Sequence, residues 1–485
     1  MTVRKGDLVE LEIEKMAYGG KGIGRAGKFI VFVRGGVPGD RLVARIYRKK
    51  RDYAEAVIEK ISEASPDRVT PLCPYFNYCG GCQIQNVAYE AQLRYKREQL
   101  KEAITRICGL DISVHTVIAS DDIFAYRNKM EFSFSDRRWF MPDETVVQAH
   151  DRIDMCPSGA DRFNAMRKAT GDFALGFHIP GSFKNVIDID RCILQQDMGN
   201  KILVAVKRFA KTSRIPVYNL KTHEGVWRFL GIRYSTAFDQ FMVNIVTSRS
   251  ISDVASSLTD VISDVAGDAD ITVVNNITGR KAGVAVGEQE LVLEGRGIIE
   301  DRIGQFVFQV SANSFFQTNT RAAEKLYGKV MEYAELTGHE TVFDLYSGTG
   351  TIPIFLSGLA REIVGFEIST SAVLNAQENC AINSVENCRF VLGDIKEELS
   401  NVKAVPDVII VDPPRAGMHK DVVGKVLALS PERVVYVSCN PASLARDLSM
   451  MAGNYDILDV QPIDMFPHTY HIETVVRLRR KKSPV

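Results

Sequence analysis

The feature that most constrains this chain is a run of strand–loop–helix units beginning near Arg321. Thr341–Tyr346, Ile363–Glu367, Arg389–Leu392, Val408–Val411 and Val434–Ser438 are short apolar runs separated by helical segments. That alternation predicts a parallel α/β sheet, buried on both faces, whose ligand crevice lies beyond the carboxyl ends of its strands. The string Val342-Phe-Asp344-Leu-Tyr346-Ser-Gly348-Thr-Gly350-Thr351 joins the first strand to a helix, and its glycines let backbone pass close to a ligand. Glu367 ends the second strand, where an acid can bind two ribose hydroxyls. Asp394 follows the third strand, near the position for an adenine contact, and Asp412 follows the fourth. The loop lacks Gly-x-Gly-x-x-Gly and the Gly-Lys-Ser/Thr of a phosphate loop, which disfavours pyrophosphate cofactors. Tyr346 either lies beside the adenosine or fills the strand–helix corner. Thr351 either touches the cofactor or opens the helix.

Two further strings carry chemistry. In Val434-Val-Tyr-Val-Ser438-Cys439-Asn440-Pro441 a strand runs directly into a helix that Pro441 is suited to begin. Cys439 is therefore expected near a helix N-terminus, whose dipole favours thiolate. In Met465–Glu473, Glu473 stands between Ile472 and the run Val475–Val476. Partial desolvation there raises a carboxyl pKa and makes it a usable base near neutrality. His468 and His471 are read as ordering this loop. The glycine loop and strand-end acids resemble those of class I S-adenosylmethionine methyltransferases, and a thiolate beside such a methyl donor suits methylation of uracil C5. Sulfur adds to C6, C5 becomes nucleophilic and attacks the methyl sulfonium, a base then removes the C5 proton and elimination frees the cysteine.

The N-terminal part is built differently. Val9, Leu11 and Ile13 alternate with Glu10, Glu12 and Glu14. With Phe29–Val33, Leu42–Tyr47, Tyr53–Ile61 and many intervening glycines they predict a five-stranded OB-like barrel. Residues 1–60 hold 14 Lys/Arg against 8 Asp/Glu, and residues 321–485 hold 17 against 21. The formal net charge of zero is thus a sum over unlike parts. It excludes a uniformly basic nucleic-acid binder but not a local phosphate-binding surface such as Arg45–Arg51. Ser62–Pro74 reads as a linker. Cys73-Pro-Tyr-Phe-Asn-Tyr-Cys79-Gly-Gly-Cys82 follows, and then a helix from Tyr89 to about Cys108. Nine cysteines without a secretory signal read as reduced thiols, metal ligands or catalysts. The Cys79–Cys82 spacing alone also allows zinc. Arg137–Thr170 is polar and irregular and reads as an inserted loop.

Taken together, Phe466-Pro-His-Thr, Ser438-Cys439-Asn440-Pro441, Asp412-Pro-Pro-Arg-Ala-Gly417 and Ser311-Ala-Asn-Ser-Phe315-Phe316-Gln317-Thr-Asn319 closely resemble the RNA uracil-5-methyltransferase family. The likeness is strongest to its 23S ribosomal RNA branch, which carries an N-terminal TRAM barrel and an iron–sulfur centre. The strand-end pattern is likewise similar to class I S-adenosylmethionine methyltransferases. The resemblance implies Cys439 as nucleophile and Glu473 as base. It implies Gln317, Tyr346, Glu367, Asp394, Asp412 and Thr351 around S-adenosyl-L-methionine. Phe315 and Gln317 are implied at the uracil. Cys73, Cys79, Cys82 and Cys192 are implied as ligands of a [4Fe-4S] cluster, with Cys156 as the competitor for the fourth place. Cys108, Cys380 and Cys388 are then inert core thiols.

The expected architecture is an α/β multidomain chain. It comprises an OB-like TRAM RNA-binding barrel at 1–62 and a central α+β domain with the cysteine cluster at 63–310. A Rossmann-like class I methyltransferase domain follows at 311–485, with the helix near 89–108 packing on it. The expected activity is 5-methyluridine formation in 23S rRNA by a cytoplasmic monomer that holds RNA and no membrane. Transfer RNA as substrate, and a non-catalytic RNA-binding protein, are the alternatives.

Overall fold

The computed structural model describes residues 3–141, 170–171, 173–182, 184–281 and 283–482. Most of the stretch read as an inserted loop, Cys156 included, lies outside the described residues.

Alternation in the first segment closes into a barrel. Its strands Leu8–Met16, Lys21–Ala26, Phe29–Arg34, Arg41–Lys49 and Tyr53–Glu63 leave no open edge. Val9, Leu11, Ile13, Val31, Val33, Leu42 and Ile46 fill it, while the intervening charged residues face out. Much of the barrel's positive charge is paired. Arg45 meets Glu59 at 3.1 Å, and Glu55 takes both Lys21 at 2.6 Å and Arg48 at 3.5 Å. In the distal basic run, Arg477 and Arg479 bind Glu335.

A mixed nine-stranded sheet spans Lys129–Glu294, with helices Asp197–Thr212 and Ser252–Ala266 packed against it. Trp227, Phe132, Leu230 and Leu258 lie in that core.

The strand–helix alternation after Arg321 gives a seven-stranded sheet. In chain order its strands lie third, second, first, fourth, fifth, seventh, sixth. The first five are parallel, and strand Glu473–Arg480 inserts antiparallel between Arg433–Ser438 and Tyr455–Ile463. Thr341–Leu345, Val408–Val411 and Arg433–Ser438 are buried at every residue, as strands covered by helices on both faces must be. Helix Tyr89–Ala103 joins this domain from far away in sequence. Its Leu100, with Ile104 just beyond, shares a core with Phe343, Val411, Tyr436 and Leu444.

Candidate active site

The loop after strand Thr341–Leu345 turns sharply. Tyr346 has φ 67°, an uncommon conformation for a bulky residue, and Gly348 and Gly350 have φ 54° and 77°. A Cβ on Gly350 would stand 2.8 Å from Phe390 and 2.9 Å from Ala376, so only glycine fits that turn. Glu367 is locked beside it, taking the Gly348 N–H at 2.9 Å and the Ser369 N–H at 2.8 Å. Asp394 accepts the Lys396 N–H at 2.9 Å and caps helix Ile395–Asn401. Near Asp394 and Asp447, the Tyr346 hydroxyl is pushed up to about 12, burial acting first.

Thr351 opens the helix, and its Oγ1 lies 3.0 Å from the Tyr327 hydroxyl. Tyr327 is also hydrogen-bonded to Gln317 and feels Asp412 and Asp344. It is thus the buried hub of this corner. The Gln317 carbonyl accepts from Asn128 at 2.8 Å. Phe315 and Phe316 part company. Phe316 packs in the core at 5 % exposure, whereas Phe315 is 66 % exposed and its carbonyl accepts from Thr349 Oγ1 at 3.2 Å. The exposed ring therefore stands beside the glycine loop.

Strand register sets Cys439 and Glu473 side by side. Ser438 pairs with Thr474 in the antiparallel ladder, so Cys439, one step past Ser438, and Glu473, one step before Thr474, adjoin at the same sheet end. The Cys439 turn is tied to the Asp412-Pro-Pro-Arg415 turn by the Arg415 carbonyl, which accepts Asn440 Nδ2 at 2.9 Å and Ser443 Oγ at 3.1 Å. Burial pushes Glu473 well above the usual carboxylate range, and Asp412 pushes it further. Asp412 is raised to about 6 by burial. The Cys439 thiol is not lowered as its place before a helix suggests. Burial raises it to about 11, Glu473 and Asp412 add to the rise, and Arg415 opposes it. Two nearby carboxylates and desolvation outweigh one helix end.

Three groups here escape sequence reasoning. Asp344 is buried with neither carboxylate oxygen hydrogen-bonded. Burial, then Asp412 and Glu367, holds its pKa well above the ordinary value. Its signal was an acid inside an otherwise apolar strand. Tyr327 gave no signal beyond the apolar face of its helix. The third is the buried pair of Lys96 and Asp464 at 2.6 Å.

That pair begins the anchoring of the loop leading to Glu473. Lys96 Nζ also donates to the Phe466 carbonyl at 3.1 Å, and Gln92 accepts the His468 N–H at 2.9 Å. The Gln83 and Ile84 N–H groups both donate to the His468 carbonyl at 3.1 Å. Asn319 holds the Met465 carbonyl at 3.0 Å, and Phe124 stacks on His468 at 4.4 Å. Burial lowers both His468 and His471 to about 4, which makes them neutral ordering groups near pH 7.

The cysteine loop adjoins this anchor. Gly81 N–H points at Cys79 Sγ at 3.3 Å, and Gln85 Nε2 at Cys82 Sγ at 3.7 Å. Burial raises Cys73, Cys79, Cys82 and Cys192. Cys79 reaches about 12 and Cys192 about 11. Cys192 and Cys73 add to the rise of Cys79, all three others to that of Cys82, and Cys73 to that of Cys192. They are therefore neighbours. Among the described residues, however, no three His, Cys, Asp or Glu side chains stand in metal-holding geometry, so the expected cluster site is not seen as a formed cage. Of the other thiols, Cys380 is buried and hydrogen-bonds Cys388, while Cys108 is partly exposed.

Comparison with known proteins agrees with the sheet, its turns and the barrel. The family described as tRNA (Uracil-5-)-methyltransferase matches residues 221–481, and the TRAM domain matches residues 3–58. The chain belongs to the tRNA (uracil-5-)-methyltransferase family. It is an RNA methyltransferase with an N-terminal TRAM domain. A Chlorobaculum tepidum protein named an uncharacterized RNA methyltransferase is 41 % identical, over 98 % of this chain and 97 % of that one. A Bacteroides thetaiotaomicron protein of the same description is 39 % identical, over 96 % and 99 %. Among solved structures, the Pyrococcus abyssi tRNA (uracil-54, C5)-methyltransferase in complex with S-adenosyl-L-homocysteine is similar with TM-score 0.72 and 28 % identity. It covers 97 % of this chain and 100 % of that one. Among the described residues no helix is long and apolar enough to cross a membrane.

Proposed function

We propose that this enzyme methylates uracil C5 in 23S ribosomal RNA, with S-adenosyl-L-methionine as donor, as a cytoplasmic monomer whose barrel (1–62), central (63–310) and catalytic (311–485) parts act together. The observation that carries the reading is the register that sets Cys439 beside Glu473, with Asp412 within electrostatic reach of both.

The chain's own groups fit the donor. The left-handed turn at Gly348–Gly350 is closed to any side chain at Gly350. The orphaned Asp344 carboxyl and the fixed Glu367 carboxyl sit behind and beside it. Glu367 would hold the ribose, Asp394 and Tyr346 the adenosine side, and Asp412, Gln317 and Thr351 the remaining contacts. The donor supplies a methyl group on a sulfonium. Cys439 Sγ would bond to uracil C6, giving C5 the electron density to take the methyl group, with S-adenosyl-L-homocysteine left behind. Glu473 would then take the C5 proton, the C6–S bond break and the thiolate return. Phe315 stacks on the extruded base, a contact worth roughly 1–3 kcal/mol. For the sulfur site, four thiols suit a [4Fe-4S] cluster, and Cys73, Cys79, Cys82 and Cys192 would hold it. The proposed methyl transfer uses no redox step, so the cluster's part is structural or RNA-facing.

A second reading, transfer RNA as substrate, is favoured by the likeness to the Pyrococcus abyssi enzyme. Methyl transfer to unmodified 23S ribosomal RNA and to unmodified transfer RNA, assayed side by side, separates the two. Cys439→Ala should abolish transfer, and Glu473→Gln should accumulate a covalent RNA adduct visible on denaturing gels. Full activity of Cys439→Ala would sink the covalent mechanism.

A further inference from the structure

A barrel residue reaches the catalytic end of the distant sheet. Tyr18 follows strand Leu8–Met16 in a tight turn where Gly20 N–H donates to the Ala17 carbonyl at 3.0 Å. Gly19 and Gly20 have φ 101° and 80°. A Cβ on Gly20 would stand 2.7 Å from the Gln83 Cβ, so the turn is seated on the segment that holds the His468 carbonyl. The Tyr18 ring meets Tyr470 edge to face at 5.1 Å. Tyr470 lies against His471 at 4.3 Å, and His471 meets Phe466 at 5.8 Å. An aromatic row thus runs from the barrel into the loop that ends at Glu473. The Tyr18 hydroxyl, raised to about 12 chiefly by burial, also feels Tyr470, Cys439, Arg415 and Glu473. Its side chain nevertheless remains 43 % exposed.

Beside this turn opens a groove of about 450 Å³ whose walls include Gly19, Gly20, Lys21, Arg34, Arg48 and the acidic Glu55. Three of those six are cationic. Glu55 answers Lys21 and Arg48, and Arg34 donates to the Asn77 carbonyl. A uracil bonded to Cys439 fills the space at the strand ends. The nucleotide next to it must leave over the rim, where an exposed aromatic ring meets the mouth of a cationic groove. Rings of this kind accept any base face, and cations beside them suit the backbone.

We infer that Tyr18 is a substrate-positioning residue that stacks on the base adjoining the target uridine and turns the RNA strand into the groove between the barrel and the cysteine loop. This rests on the uracil-C5 reading above and extends it, because the barrel then contributes to the mouth of the active site.

The test compares the full-length chain with Tyr18→Ala and Tyr18→Phe. One readout is KM and kcat for methyl transfer to bulk RNA from cells lacking the enzyme. The other is the Kd of a short fluorescein-labelled, uridine-rich single-stranded RNA. Tyr18→Ala should raise KM and Kd roughly tenfold, about 1.4 kcal/mol, with kcat within about twofold, and Tyr18→Phe should restore both constants. KM and Kd of Tyr18→Ala within about twofold of the parent, or a fall in kcat alone, overturn the inference. If the parent binds RNA through Tyr18 yet yields no 5-methyluridine, the uracil-C5 reading falls and only the contact of Tyr18 with RNA stands. If the parent methylates normally and Tyr18→Ala is indistinguishable from it, the reverse holds.

Discussion

Lys96 Nζ lies 2.6 Å from Asp464 Oδ1, with the two side chains 1 % and 0 % exposed. The ion pair pins helix Tyr89–Ala103 to the loop that delivers Glu473. Removing one partner leaves a buried charge unanswered, at a cost of about 3–5 kcal/mol. Lys96→Met should therefore lower the thermal midpoint steeply and reduce activity. Lys96→Met combined with Asp464→Leu should recover most of the stability. A Lys96→Met midpoint within a degree or two of the parent would show that the pair is dispensable.

Because the Cys439 thiol is raised to about 11, its thiolate fraction grows about tenfold per pH unit below that value. Peptide-resolved alkylation of Cys439 by iodoacetamide in the cofactor-free protein should accelerate throughout pH 7–10. Glu473→Gln removes a group that opposes ionisation of Cys439 and should speed alkylation, while Arg415→Gln removes one that favours it and should slow it. A rate already flat by pH 7 would contradict this electrostatic picture.

Asp344 has a folded pKa well above its unfolded value and no hydrogen-bond partner for its carboxyl. The folded state thus retains a proton that the unfolded chain has lost, so stability falls as pH rises through that window. Asp344→Asn should raise the thermal midpoint of the cofactor-free protein at pH 8. The gain should shrink toward pH 4. Weaker binding of S-adenosyl-L-homocysteine by the same variant is expected. A gain that does not vary with pH would mean that ionisation is not its cause.

Iron and acid-labile sulfide in anaerobically purified protein test the four-thiol site. Cys82→Ser and Cys192→Ser should each lose most of the iron, whereas Cys108→Ser should lose none. Zinc at unit stoichiometry without iron would replace the cluster by a zinc site.

Ion pairing commits part of the barrel's positive charge, since Arg41, Arg45, Arg48 and Lys21 all face glutamates. Affinity for single-stranded RNA should fall with salt at a log–log slope of only about −2 to −3, as expected for three or four phosphate contacts. A slope near −7 would mean that the pairs open on binding.

What the sequence disclosed follows from range of interaction. The five parallel strands and the barrel were legible because burial on two faces, or on alternating sides, prints a short period on neighbouring residues. Glu367, Asp412 and Cys439 were legible because a parallel sheet gathers its ligands at the ends of those strands. The nine-stranded central sheet was not, since its pairings join residues as distant as Lys129 and Arg233. Nor was the choice between Phe315 and Phe316, which depends on Phe308 filling the core beside Phe316. The direction of the Cys439 shift also escaped, because it is set by Glu473 from another strand and Asp412 from another loop.

Strand Glu473–Arg480 lies between two strands that precede it in the chain. Strand Arg433–Ser438 therefore has neighbours on both sides only when this last strand of the sheet is in place, and the shared sheet end of Cys439 and Glu473 is a property of the completed fold, not of either segment alone.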